Sequence, residues 1–136
     1  MAYAVRQAFI DQYGQDAVLV VADRDRDGVI DDAVVDRALT NATGEIDGYV
    51  SVKHRLPLPV VPEHFARLCG DIAMYLLSSE GGALTEDKRK RYEDAVSYLR
   101  RVATGDAGLG LPTPAEQETS GEAWFESQPK RFGDVL

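Results

Sequence analysis

The stretch PEHFARLCGDIAMYLL, from Pro62 to Leu77, decides the fold class of this chain. Its apolar residues recur at intervals of three and four, which is the spacing of one face of an α-helix. Pro62 suits the first turn of such a helix, where the backbone N–H has no partner within the helix. The run from Ile72 to Leu77 is apolar on nearly every side, so this helix is predicted to lie at the centre of a bundle or to press against another subunit. The stripe comprises Phe65, Leu68, Cys69, Ile72, Ala73 and Leu76.

Two more long helices are predicted from the same spacing. The first spans residues 32–50, and Asp31 or Asp32 can cap its start. The second begins after the capping residue Thr85 and stops at Gly105. The apolar stripes are Val35, Ala38, Leu39, Ala42, Ile46 and Tyr49 on the first helix, and Tyr92, Ala95, Val96, Leu99, Val102 and Ala103 on the second.

Two short helices are predicted ahead of the long ones. Arg6 to Tyr13 is rich in helix-forming residues and ends before Gly14. The segment QDAVLVVA, residues 15–22, suits a buried strand by composition, but the chain offers no second strand to pair with it, so a helix is favoured. The proline-rich LPLPVVP, residues 56–62, is a stiff connector. The sequence therefore predicts an all-α bundle of about five helices, two short and three long, over residues 1–111.

Composition limits the classes of protein that this chain can belong to. Its 136 residues, 44% of them hydrophobic, are enough for one core. A net charge of -8 argues against binding to nucleic acid through phosphates. Cys69 is the only cysteine, so no intramolecular disulfide is possible and a reducing compartment is expected. The longest apolar run, AVLVVA, is far shorter than the roughly 20 residues that cross a bilayer, so no membrane partner is predicted.

Residues 112–136 are predicted to form a flexible, extended C-terminal tail. Their Pro, Glu, Ser and Gly content provides too little apolar area to offset the entropy of ordering. The aromatic and aliphatic side chains of the tail are the kind that fold onto a partner, and its paired cations would steer it toward an acidic surface. The predicted partner-binding residues are Trp124, Phe125, Lys130, Arg131, Phe132 and Leu136.

The stretch DRDRDGVIDD, residues 23–32, has the spacing of a calcium-binding loop. Candidate oxygen ligands fall at the odd-numbered positions of such a loop, and Gly28 stands at its turn. The twelfth position, which normally supplies a bidentate carboxylate, is Val34. Any calcium binding is therefore expected in the millimolar range. The candidate ligands are Asp23, Asp25, Asp27, the carbonyl of Val29, and Asp31.

A purely structural interpretation of this loop is favoured over the metal site. Asp27 and Gly28 would form a tight turn, and Asp31 and Asp32 would satisfy the free amides at the start of the next helix. Arg24 and Arg26 would neutralise the alternating acids.

The other reactive residues do not form a catalytic constellation in the sequence. His54 and His64 lack the spacing of a metal pair, and Cys69 lies on an apolar stripe, as a core residue does. The basic run Lys88 to Arg91 follows Glu86 and Asp87, and this pattern predicts a solvated helix face with ion pairs. Asp71 is a candidate for a buried, hydrogen-bonded acid. We therefore expect no enzyme activity and no cofactor other than weakly bound calcium.

The order of the segments resembles a known protein family. They are DRDRDGVIDD, EIDGYV (residues 45–50), LPLP, DIAMYLL (residues 71–77), RYEDAVSYL (residues 91–99) and GLGL, followed at the C-terminus by PKRFGDVL. The segments up to GLGL resemble the small phage proteins typified by a head-region gene product of Mu-like bacteriophages, over about residues 3–111, and the ending PKRFGDVL resembles the terminal basic-aromatic motif of that family.

This resemblance implies a head-tail connector or head-completion protein of a phage or prophage, with a tail-completion role as the alternative. Such a protein would form a homo-oligomeric ring between portal and tail, at the head-tail junction of the virion, after synthesis in the host cytoplasm. Its partners would be the portal, the tail or neighbouring connector subunits, without a membrane or sequence-specific nucleic acid. The rival interpretation is a weak calcium-dependent binding module that acts through the loop of residues 23–32.

Overall fold

The computed structural model describes residues 2–110 and arranges them as a bundle of α-helices, with no strand in that range. The helices are α1 (Arg6–Tyr13), α2 (Gln15–Ala22), α3 (Asp32–Val50), α4 (His64–Gly81) and α5 (Glu86–Thr104). The predicted all-α bundle with two short and three long helices is confirmed. The predicted tail, residues 112–136, lies outside the described residues.

Helix α4 is the centre of the bundle. It packs against each of the other four helices, and Phe65, Ile72 and Met74 on it have no exposed surface. Burial of each side chain of this size stabilises the fold by roughly 1.5 to 3 kcal/mol. The predicted central position of this helix is therefore confirmed. No helix within residues 2–110 combines the length and the apolar character needed to cross a bilayer.

The helix boundaries follow local signals that the sequence contains. Gly14, between α1 and α2, has a φ of 93°, and Gly105, after α5, has a φ of 89°. Positive φ angles of this kind strain residues that carry a Cβ, so both glycines suit a helix end. The hydroxyl of Thr85 accepts a hydrogen bond from the backbone N–H of Lys88 at 3.2 Å, which confirms the predicted cap of α5.

The start of one predicted helix and the cap of another differ from the structure. Helix α4 begins at His64, so Pro62 lies before its first turn. The carbonyl oxygen of Pro62 accepts a hydrogen bond from the N–H of Phe65 at 3.1 Å. Asp31 occupies the position before α3, but its side chain makes no capping bond. Its backbone N–H donates to the carbonyl of Ala22 at 2.8 Å, and its carboxylate accepts from the N–H of Arg24 at 2.8 Å. Asp31 thus joins the two ends of the loop.

Candidate functional site

The loop between α2 and α3 brings three acidic side chains together. Carboxylate oxygens of Asp23, Asp25 and Asp27 lie within 4.8 Å of one another. Asp25 and Asp27 are exposed, and Asp23 is partly buried. Desolvation, together with the negative charges of Asp27 and Asp31, raises the pKa of Asp25. These three acids are the part of the predicted ligand set that the fold assembles.

The same carboxylates also hold the loop in shape. Asp23 accepts hydrogen bonds from the N–H of Asp27 at 3.0 Å and of Gly28 at 2.9 Å. Asp27 accepts from the N–H of Val29 at 2.9 Å, and Gly28 has a φ of 82°. Desolvation pushes the pKa of Asp23 upward, but the amides of Gly28 and Asp27 outweigh it, and the pKa is lowered. The loop is therefore the tight turn that the structural interpretation predicts.

Two charged side chains of the loop differ from the prediction. Asp31 is bonded to the N–H of Arg24 and is not part of the group formed by the other three acids. The Arg24 guanidinium does not pair with the loop acids but donates to Glu80 on α4 at 2.8 Å. A calcium ion prefers six to eight oxygen ligands, so three carboxylates, two of which already accept backbone hydrogen bonds, form at most a partial site.

Asp71 on α4 forms a second acidic site, which is buried. Only 6% of its side chain is exposed. One carboxylate oxygen accepts from the Tyr13 hydroxyl at 2.7 Å and from the Gln12 amide at 2.9 Å. Arg67 lies 3.6 Å from the other oxygen. The predicted role of Asp71 as a buried, hydrogen-bonded acid is confirmed, and its bonds fasten α1 to α4.

Burial controls the protonation of this cluster. It raises the pKa of Asp71, and the hydrogen bond from Tyr13 offsets part of the rise. Burial, followed by the bond to Asp71, also raises the pKa of Tyr13. The guanidinium of Arg91 on α5 lies 5.5 Å from the centre of the Tyr13 ring, within the range of a cation–π interaction. The hydroxyl and amide are thus committed to the carboxylate, and the cluster links three helices.

Gln12 reaches Asp71 because residue 70 is a glycine. A Cβ at Gly70 would lie 2.0 Å from the side-chain oxygen of Gln12. Any larger residue there would push the amide away from its position beside Asp71. Sequence reasoning identified Asp71 but not Gln12 or Tyr13, which lie more than fifty positions away; the one available signal was the glycine directly before the acid.

His64 belongs to a third polar group, at the start of α4. Its Nε2 lies 2.8 Å from the Tyr98 hydroxyl, which donates to the carbonyl of Gly108 at 2.8 Å. Because the hydroxyl has one proton, Nε2 of His64 is the donor to Tyr98. Burial, together with the charge of Arg67, lowers the pKa of His64. His64 is therefore a hydrogen-bonded structural residue, as predicted, and it helps to hold the chain after α5.

Cys69 is a core residue, as predicted. Its thiol is buried, and its sulfur lies 3.5 Å from the carbonyl oxygen of Leu39 and from the hydroxyl of Thr43. Burial raises the pKa of the thiol, which opposes formation of a reactive thiolate.

The basic run Lys88 to Arg91 forms the ion-paired face that its sequence predicted. Arg89 pairs with Glu86 and with Glu93, the latter at 2.6 Å. Arg91 pairs with Asp87 at 3.4 Å. These exposed pairs compensate the positive charge of the run locally.

The predicted partner-binding side chains lie outside the described residues, so their role stays a prediction. They are Trp124, Phe125, Lys130, Arg131, Phe132 and Leu136.

Comparison with known proteins places this chain close to phage proteins. The family model described as Bacteriophage Mu, Gp36 matches residues 3–127. The Mu-like prophage FluMu protein gp36 of Haemophilus influenzae is 32% identical over 139 residues, covering 96% of this chain and 97% of that protein. Gene product J of Escherichia phage Mu is 36% identical over 108 residues, covering 78% of this chain and 75% of that protein.

Proposed function

This chain belongs to the bacteriophage Mu Gp36 family, and on that premise we propose that it is a structural protein of a phage or prophage particle. Its role would be that of a head-tail connector or head-completion protein that forms a ring between portal and tail. The observation that carries the proposal is the extent of the match, which takes in residues 3–127 and therefore most of the chain.

The use of buried polar groups supports a structural rather than a catalytic role. The polar or charged residues buried in the described range are Thr43, Asp71 and Ser78. Thr43 accepts a hydrogen bond from the N–H of Tyr3 at 2.9 Å, and Asp71 accepts from Tyr13 and Gln12. Such bonds between distant segments fix the relative positions of helices, which a subunit of an assembly needs in order to present constant surfaces.

The connector between α3 and α4 supports a role in assembly. Val52 is 62% exposed and Val60 is 60% exposed, and Val61 is exposed as well. The prolines on either side of Val60 and Val61 fix their own φ angles and so restrict the segment. Aliphatic side chains held in water on a stiff segment are typical of surfaces that a partner covers.

We propose the portal, the tail and neighbouring copies of this chain as the partners, and the head-tail junction of the virion as the location. The proposed function needs no cofactor, membrane or sequence-specific nucleic acid. A weak calcium-dependent binding module has less support, because Asp31 is bonded elsewhere and Val34 replaces the bidentate ligand.

The test is to mix the full chain with the portal protein from the same genome and to look for rings by electron microscopy. We expect the wild type to form a ring on the portal. A chain with Val60→Asp and Val61→Asp should lose the ring but keep its helical circular dichroism. Thr40→Asp, which alters an exposed residue of α3, is the matched control and should keep it. A folded wild-type chain that forms no ring with portal or tail proteins would contradict the proposal.

A further inference from the structure

A groove of about 180 Å³ lies between α3 and α4. Apolar side chains line it, namely Val34 and Ala38 from α3 with Leu76 and Leu77 from α4. Leu76 was expected in the buried stripe, but Leu77 is buried instead and Leu76 is only half-buried, as is Val34. The central helix therefore leaves part of its apolar run uncovered on this side.

Charged side chains surround this apolar floor. Glu45 and Glu80 line the groove together with Arg37. Glu45 accepts a hydrogen bond from the Tyr92 hydroxyl at 2.9 Å, so its carboxylate is held in place. Glu80 is paired with Arg24, but both side chains are well exposed, so a second cation can exchange for Arg24 at little cost. The groove thus combines an apolar floor with two acids and one cation.

We propose that this groove receives the C-terminal segment PKRFGDVL, residues 129–136, of a neighbouring copy, with Phe132 on the apolar floor. This inference rests on the proposed ring-forming function and names one contact between its subunits. An apolar cavity of about 150 Å³ binds a benzene molecule, so a groove of about 180 Å³ has room for one phenyl ring.

The charges of the segment complement those of the groove. Lys130 and Arg131 precede Phe132 and match the two glutamates, whereas Asp134 follows it and matches Arg37. Pairing of opposite charges at the rim, with an aromatic anchor in the centre, is the usual arrangement of a specific protein interface.

A second groove, between α4 and α5, fits this segment less well. It measures about 240 Å³, and ionisable side chains dominate its lining. Asp71 and Arg91 in that lining already interact with Tyr13, and His64 with Tyr98. An aromatic anchor would have to break these interactions, so the groove between α3 and α4 is the better receptor.

The length of the chain allows the segment to reach another subunit. Gly108 is bonded to Tyr98, which also contacts His64 at the start of α4. Leu76 lies about 18 Å further along the axis of α4, at roughly 1.5 Å per residue. Residues 111–129 can span up to about 60 Å when extended, so the segment can cross to the groove of an adjacent copy.

The test is disulfide crosslinking between two populations of the full chain, each with one added cysteine. One carries Asn41→Cys, at an exposed position that lines the groove, and the other carries Gly133→Cys. Native Cys69 is buried and can stay. The control replaces Asn41→Cys with Ser97→Cys, an exposed position on α5. The mixtures are oxidised mildly, both alone and with portal protein.

The mixed disulfide should form about tenfold faster with Asn41→Cys than with Ser97→Cys, because docking raises the local concentration of the segment. Adding Phe132→Ala to the Gly133→Cys chain should remove the difference. Equal rates at the two positions, with and without portal, would overturn the proposed contact. So would a doubly substituted chain, Asn41→Cys with Gly133→Cys, that crosslinks only within itself, because the segment would then occupy its own groove.

The result also separates this contact from the proposed function. Rings on the portal without the mixed disulfide would leave the connector function intact and remove the contact. The mixed disulfide without rings on portal or tail proteins would support the contact and contradict the connector function.

Discussion

The two acidic regions of this protein use the same functional group in opposite ways. In the loop after α2, Asp23 accepts hydrogen bonds from Asp27 and Gly28, only four and five positions away. In the bundle, Asp71 accepts from Gln12 and Tyr13, which are 59 and 58 positions away. The loop acids are a local device that shapes one turn, whereas Asp71 joins separate helices. Burial sets the difference, because a buried carboxylate needs partners and water cannot supply them.

The largest effect is expected from Leu99→Ala. The stability that this core truncation removes is the reference against which substitutions in the two acidic regions are compared. Leu99 has no exposed surface, and truncating a core leucine costs about 2 to 5 kcal/mol. Chemical denaturation followed by circular dichroism measures the loss in the free energy of unfolding. A loss below about 1 kcal/mol would mean that α5 is not part of the core at this position.

Asp71→Ala should destabilise the protein by about 2 kcal/mol at neutral pH, because the hydroxyl of Tyr13 and the amide of Gln12 lose their acceptor. Asp94→Ala, which removes an exposed carboxylate from α5, is the matched control and should change stability by no more than about 0.5 kcal/mol. The same denaturation assay compares the two. Equal effects would break the distinction between buried and exposed acids.

Asp71 and Asp23 should contribute to the pH dependence of stability with opposite signs. The pKa of Asp71 is raised in the folded protein, so the pH-dependent part of its contribution to stability is complete below its unfolded-state pKa and is lost as pH rises through the folded-state pKa. The pKa of Asp23 is lowered, so its contribution is present above its unfolded-state pKa and is lost as pH falls through the folded-state pKa. Denaturation curves at a series of acidic pH values measure both.

Single substitutions separate the two contributions. Asp71→Asn should remove a decline of stability with rising pH, and Asp23→Asn should remove a decline with falling pH. If both variants change the pH profile in the same direction, the difference in environment does not control protonation as we infer.

The smallest effect is expected from calcium. The loop should bind the ion only in the millimolar range, because Val34 replaces the bidentate ligand and Asp31 is bonded to Arg24. Backbone NMR of the full chain during a calcium titration, with Asp25→Asn as the control, follows the Gly28 amide. Saturation at micromolar calcium would show that the loop rearranges into a complete site.

The contrast between the regions also explains which features were predictable. The helices follow from short-range spacing, and even QDAVLVVA, ambiguous by composition, is a helix because its Val18, Val21 and Ala22 are buried in the core. The turn at Gly28 follows from neighbouring residues for the same reason. The partners of Asp71 could not be predicted, because no local pattern specifies which helix packs beside Gly70. The half-exposed state of Leu76 likewise depends on the angle at which α3 crosses α4.

The bond between Tyr98 and Gly108 has a mechanical consequence. Leu109 is buried, and Tyr98, which holds Gly108, is itself bonded to His64. A pull on the chain beyond Gly110 therefore acts first on the packing of Leu109 and on the Tyr98–Gly108 bond, before it reaches the last turn of α5. The chain up to Gly110 is thus fastened to the side of the bundle, and α5 can stay folded when a force acts on the chain beyond it.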